Sequence, residues 1–146
     1  MKRPKRNIDK SVKQSNTRRN YDTELFKWSF KDCFYEHQSW GTLGACDLIV
    51  EIIYKLESYE TQIWTDLKNA SGGKRDKGGS NNHFIDATKL PNSLRKEYIR
   101  RNLMESYDRV FSLRLTGTKR LIGYVRQGVF YILWYDPNHQ IFPCSI

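Results

Sequence analysis

Three segments with β-strand character follow one another near the C-terminus, and turns of only two residues separate them. They are Arg109–Thr116, Lys119–Arg126 and Val129–Tyr135, joined by Gly117-Thr118 and Gln127-Gly128. Turns this short connect only antiparallel neighbours. We therefore predict an antiparallel β-meander. The uninterrupted apolar and aromatic run of the third segment predicts a central strand that is covered on both faces.

The region before this meander has a different periodicity. Apolar residues recur every three or four positions in Ala45–Ala70, which predicts two helices with a break near residues 57–59 and Ser58 as the candidate cap of the second. Pro91–Tyr107 predicts a further helix capped by Ser93. Alternation predicts an N-terminal strand over Lys27–Tyr35, with the start of a helix as the alternative.

A short edge strand is also expected over Ile141–Cys144. The order is thus an N-terminal strand, two or three helices, and a C-terminal antiparallel meander, which is an α+β fold. The length of 146 residues suits one domain. We predict that residues 1–20, with eight Lys or Arg, one Asp and no apolar period, form a disordered basic arm, and that residues 21–146 form the domain.

Several classes of protein are excluded by the composition. The longest uncharged apolar run is Val129–Tyr135, far short of the ~20 residues that cross a bilayer. No apolar segment follows the basic N-terminus, as a secretory signal would require. Cys33, Cys46 and Cys144 form no CxxC pair, which argues against a disulfide framework and a cysteine-based zinc site. We predict a cytoplasmic protein with no membrane partner.

The net charge of +9 is unevenly distributed. Residues 21–88 are net acidic, whereas residues 89–126 carry ten Lys or Arg against three Asp or Glu. Such a basic region indicates an anionic partner such as nucleic acid. Arg114 lies within a predicted strand and Arg120 directly after a tight turn, where a planar guanidinium can bind two phosphate oxygens. The alternative is that each arginine lies on a solvated face or pairs with an acidic neighbour.

Further basic and aromatic residues are candidate nucleic-acid contacts. Arg100 and Arg101 lie on the exposed side of a predicted helix, and Lys119 and Arg126 lie at the two ends of the second strand. Tyr124 is a candidate for base stacking. Strands bury aromatic residues by default, so the alternative for Tyr124 is a place in the core.

His139 follows a turn at the end of the last strand, beside the basic sheet. An imidazole there can transfer protons near neutral pH, and the alternative is a capping or surface histidine. Asp136 either orients that ring or is a turn residue. His37 and His83 are the other histidines, but no two lie four residues apart on a helix, so we predict no metal and no cofactor. The loop Ser71–Asn82 is glycine-rich but lacks the order of a phosphate-binding loop.

The segment Phe111–Pro143 resembles the C-terminal half of RelE/ParE/HigB-type toxins, with their LR-L-G--R--Y-----V-ILW---H pattern. The matching positions are Arg114, Leu115, Gly117, Arg120, Tyr124, residues 129–135 and His139. The resemblance implies a RelE-like fold and a cytoplasmic toxin of a bacterial toxin–antitoxin pair. The preceding helices match only by their order, and the basic arm has no counterpart in the shorter members.

That resemblance also implies a mechanism, namely metal-independent cleavage of mRNA, including ribosome-bound mRNA, by attack of a ribose 2′-hydroxyl on the adjacent phosphate. Arg114 and Arg120 would then stabilise the developing charge, with Lys119 as an auxiliary phosphate contact. His139 would transfer a proton. The implied partners are RNA and an antitoxin protein. ParE-like members share the fold without cleaving RNA, so the alternative is a non-catalytic module that binds nucleic acid or protein.

Overall fold

The computed structural model of the chain describes residues 20–70 and 81–142. The predicted basic arm, apart from Asn20, lies outside the described residues. So do residues 71–80 of the predicted glycine-rich loop, and residues 143–146.

The described residues form five strands and three helices. The strands are β1 Lys27–Ser29, β2 His83–Asp86, β3 Arg109–Arg114, β4 Arg120–Arg126 and β5 Val129–Asp136. Helix α1 covers residues 45–59, with α-helical ends Ala45–Asp47 and Tyr54–Tyr59 around a π-helical middle, Leu48–Ile53. The others are α2 Trp64–Asn69 and α3 Asn92–Arg100, with short 3-10 helices at Gln38–Thr42 and Ala87–Lys89.

All five strands belong to one sheet, in the order β1-β5-β4-β3-β2. Strand β1 runs parallel to β5, and every other pair is antiparallel. The α+β class and the meander of β3, β4 and β5 are therefore as predicted. Strand β5 lies between β1 and β4, and most of its side chains are buried, which confirms its central place.

Helices cover both faces of the sheet, so β3 buries apolar side chains on each face. Phe111 and Leu113 pack in one core with Trp64 of α2 and with α1. Val110, from the other set, packs in a second core with Tyr98 of α3. We call the second side the α3 face. Burial of these large side chains stabilises the domain by about 1.5–3 kcal/mol each.

Several predicted elements differ at their ends. Strand β3 ends at Arg114 and not at Thr116, and β4 begins at Arg120 and not at Lys119, so residues 115–119 connect them instead of Gly117-Thr118 alone.

The predicted strand Lys27–Tyr35 is wrong beyond Ser29, because the chain turns there and Phe34 donates its backbone N–H to the carbonyl of Leu133. Ser58 does not cap a second helix. Its hydroxyl donates to the carbonyl of Lys55, so α1 continues to Tyr59.

The C-terminal part of the predicted helix Pro91–Tyr107 is also wrong. Helix α3 ends at Arg100, and Asn102 adopts a left-handed backbone with φ of 62°, which ends helices. The N-cap is Pro91 and not Ser93.

The C-terminal edge strand is wrong over its two described residues, Ile141 and Phe142, which form a bend and pack on the α3 face. Strand β2 was not predicted, because its four residues carry no clear alternation. No described helix is long and apolar enough to cross a membrane.

Gly123 provides a test of the packing between β4 and β5. The register shifts between Ile122 and Gly123, and a Cβ at Gly123 would lie 1.9 Å from the backbone oxygen of Tyr131. We expect Gly123→Ala to lower the free energy of unfolding in urea by about 1–3 kcal/mol, because backbone must move. Gly41→Ala is the control, since nothing lies within 4 Å of its added Cβ. Equal stability of the two variants would contradict this register.

Candidate active site

Three charged residues lie in one row across the end of the sheet. Arg114 of β3 is directly opposite Arg120 of β4, and Arg120 is directly opposite Asp136 of β5. Directly opposed side chains point to the same face of a sheet. Because Arg114 has the same parity as Val110 on β3, the row lies on the α3 face.

Arg114 is fixed by contacts from two other segments, residues 81–82 and α1. Its Nη1 donates to Oδ1 of Asn81 at 2.9 Å, and its backbone N–H donates to Oδ1 of Asn82 at 2.8 Å. Its carbonyl accepts from the hydroxyl of Tyr59 on α1 at 2.6 Å. Asn82 is buried, and its amide group also donates to the carbonyl of Leu67 on α2. The end of β3 is therefore held by α1, by α2 and by the residues that lead into β2.

The turn between β3 and β4 organises Arg120. Gly117 adopts a left-handed backbone with φ of 55° in this turn. Nη1 of Arg120 donates to the carbonyls of Gly117 and Lys119, at 3.2 Å and 3.3 Å. Lys119 pairs with Glu51 of α1 at 3.1 Å. The guanidinium of Arg120, the middle residue of the charged row, thus lies over its own turn.

The loop after β5 brings His139 back towards this row. The carboxylate of Asp136 is 4% exposed and accepts the backbone N–H groups of Gln140 and Ile141, both at 2.9 Å. The hydroxyl of Thr118 donates to the carbonyl of Pro137 at 2.7 Å. These bonds close a compact turn around His139, whose φ is 55°. Of the two predicted roles of Asp136, orienting the ring of His139 or forming a turn, its hydrogen bonds to Gln140 and Ile141 support the second.

The charges around His139 favour a neutral imidazole. Burial lowers the pKa of His139 below its ordinary value, and the positive charge of Arg120 lowers it further. Arg114 and His83 act in the same direction, and the carboxylate of Asp136 opposes them. A neutral ring at pH 7 can accept a proton.

The structure therefore brings together the three residues predicted to be catalytic, Arg114, Arg120 and His139. The arrangement offers two guanidinium groups for an anion and an imidazole that can accept a proton. Lys119 lies at the neighbouring turn. Arg126 does not belong to this cluster, because it is six residues along β4 from Arg120, about 20 Å away.

Tyr124 and the arginines of α3 have other neighbours. The ring of Tyr124 stacks on Tyr131 and Tyr107, at 5.0 Å and 4.4 Å between centroids, and it is 4% exposed. It offers little surface to a base. Arg100 and Arg101 are exposed as predicted, and both pair with Glu97 on α3.

Sequence reasoning missed Asn81, Asn82 and Tyr59 as supports of the site, and it considered His83 only as a metal ligand. In the sequence, the two asparagines are the last residues of a polar loop, and no pattern there indicates a partner for them. Tyr59 was one aromatic residue in an amphipathic helix. Within residues 20–70 and 81–142, no three His, Cys, Asp or Glu side chains form a group that could hold a metal ion.

Comparison of the chain with family models, with curated proteins and with solved structures finds no match.

The electrostatic account of His139 can be tested by NMR titration of its ring protons. We expect a pKa below the ordinary histidine value, and we expect Arg120→Gln to raise it, because a nearby positive charge disfavours the imidazolium. Arg126→Gln is the control, because Arg126 lies about 20 Å along β4 from Arg120, which is more than the Debye length at physiological salt. An unchanged His139 pKa in Arg120→Gln would show that the two groups do not interact.

Proposed function

We propose that this protein is a metal-independent endoribonuclease and the toxin of a toxin–antitoxin pair. The observation that carries the proposal is the meeting of Arg114, Arg120 and His139 at one end of the sheet. Two guanidinium groups beside a neutral imidazole suit the cleavage of a phosphodiester that carries its own nucleophile. RNA is such a substrate, because its 2′-hydroxyl lies next to the scissile phosphate.

The proposed reaction moves one proton from the nucleophile and breaks one P–O bond. His139 takes the proton of the 2′-hydroxyl while the 2′-oxygen attacks phosphorus. Arg114 and Arg120 stabilise the negative charge that grows on the phosphorane oxygens. The bond from phosphorus to the 5′-oxygen then breaks, and that oxygen takes up a proton. The products are a 2′,3′-cyclic phosphate and a free 5′-hydroxyl.

The surroundings of the site suit a polyanion. Lys119 lies at the hairpin turn, where it pairs with Glu51. Arg100 and Arg101 are exposed at the C-terminal end of α3, which covers the same face of the sheet, and both pair with Glu97. Phosphate contacts of this kind position a nucleic acid without reading its sequence. The proposal includes a RelE-like arrangement of the domain, action in the cytoplasm, mRNA on the ribosome as a substrate, and an antitoxin protein that blocks the site.

A second candidate function is a non-catalytic module that binds protein. The observation in its favour is the exposure of four large apolar residues on α1, which are Leu48, Ile49, Val50 and Tyr54. Clustered exposed apolar residues mark interaction surfaces. An antitoxin would also use such a surface, so only the fate of RNA separates the two functions.

Growth arrest on expression tests the catalytic proposal in cells. We expect the full chain to arrest bacterial growth, and we expect Arg120→Ala or His139→Ala to relieve the arrest. Loss of one charge-stabilising group lowers the rate of this kind of chemistry about a hundredfold or more. The matched control is Arg109→Ala, at the opposite end of β3 from Arg114, which should still arrest growth. The mechanism would be contradicted if the variant that carries both Arg120→Ala and His139→Ala arrested growth as strongly as the wild type.

A further inference from the structure

We propose that His83 is a second proton-transfer residue of this site and gives its proton to the leaving 5′-oxygen. The proposal rests on the proposed ribonuclease function and adds the residue that completes its reaction. It assigns opposite roles to the two histidines, since His139 takes a proton and His83 gives one.

The register of β2 places His83 on the face that carries the charged row. His83 is directly opposite Ser112 on β3. Ser112 is two residues before Arg114 and shares its parity, so His83 and Arg114 lie on the same face as diagonal neighbours. The His83 side chain is exposed. A substrate bound at the arginines can therefore reach its ring.

The residues just before His83 tie its backbone to Arg114. Asn81 accepts from the guanidinium of Arg114, and Asn82 accepts from its backbone N–H. Asn82 is also anchored to α2 through the carbonyl of Leu67. These bonds fix the position of β2 relative to the arginine pair, as the positioning of a proton donor requires.

His139 approaches the same row from the opposite edge of the meander, through the turn closed by Asp136. The two imidazoles are close enough for the charge of His83 to act on His139. The charged groups that act electrostatically on His139 are Arg120 of β4, Asp136 of β5, His83 of β2 and Arg114 of β3. The arginines thus lie between two histidines that come from different strands.

The chemistry requires both roles. The 2′-oxygen forms a bond to phosphorus and loses its proton to His139, while the 5′-oxygen leaves phosphorus and takes a proton from His83. One proton enters the protein and one leaves it, so atoms and charge balance. An alkoxide leaving group is poor without such a proton, and general acid catalysis contributes about 10²–10⁴-fold.

The test compares two RNA substrates that differ only at the leaving atom. One is an ordinary oligonucleotide, and the other carries sulfur in place of the 5′-oxygen at one linkage. Sulfur leaves as a thiolate and needs no proton. We expect His83→Gln to cleave ordinary RNA at least about a hundredfold more slowly than the wild type, yet to cleave the sulfur-containing linkage at close to the wild-type rate. His139→Gln should be slow on both substrates.

His37→Gln is the matched control, because it also removes an imidazole but one with no part in the proposed reaction. The ring of His37 accepts the backbone N–H of Ser39 and caps the 3-10 helix Gln38–Thr42. It should match the wild type on both substrates. Cleavage of the sulfur-containing linkage by His83→Gln also shows that this variant is folded. A wild-type rate of His83→Gln on ordinary RNA, or an equal loss on both substrates, would overturn the role of His83 alone. If the wild type cleaves neither substrate, the proposed function itself is wrong.

Discussion

The pairing of Arg114 with Arg120 is the constraint on which the site depends. A tight turn between β3 and β4 places these two like charges directly opposite each other. Like charges in this position destabilise a sheet. Asp136, opposite Arg120 in the register, supplies negative charge next to the pair, and Asn81 accepts a hydrogen bond from Arg114. Because the two guanidinium groups repel each other, an anion bound between them would be stabilised.

The rest of the domain makes this arrangement rigid. The helices α1 and α2 pack on one face of the sheet, and α3 packs on the other. Helix α1 reaches the charged end twice, through the hydroxyl of Tyr59 on the carbonyl of Arg114 and through Glu51 on Lys119. A site built on strands and braced by helices keeps its charged groups in place before a substrate binds. That is the condition for electrostatic stabilisation of a transition state.

The sequence was most informative where the structure is local. Alternation and turn residues predicted strands β3, β4 and β5, and the expected two-residue turn Gln127-Gly128 joins β4 to β5. The pairing of Arg114 with Arg120 was not predicted, because residues 115–119, and not Gly117-Thr118 alone, connect β3 to β4 and set their register. The missed elements depend on contacts between distant parts of the chain. Strand β2 has four residues and pairs with β3, and Asn82 is buried only because Leu67 and Arg114 offer it partners. The enclosure of Tyr124 by Tyr107 and Tyr131 is likewise a tertiary property.

The most direct test of the central claim is the identity of the RNA ends that the purified full chain produces in the presence of a metal chelator. Free RNA and ribosome-bound mRNA are both needed as substrates. We expect new ends with a 2′,3′-cyclic phosphate and a 5′-hydroxyl, because the 2′-oxygen is the proposed nucleophile. Intact RNA in both reactions, together with binding that weakens steeply with salt, would contradict the account and identify a binding module.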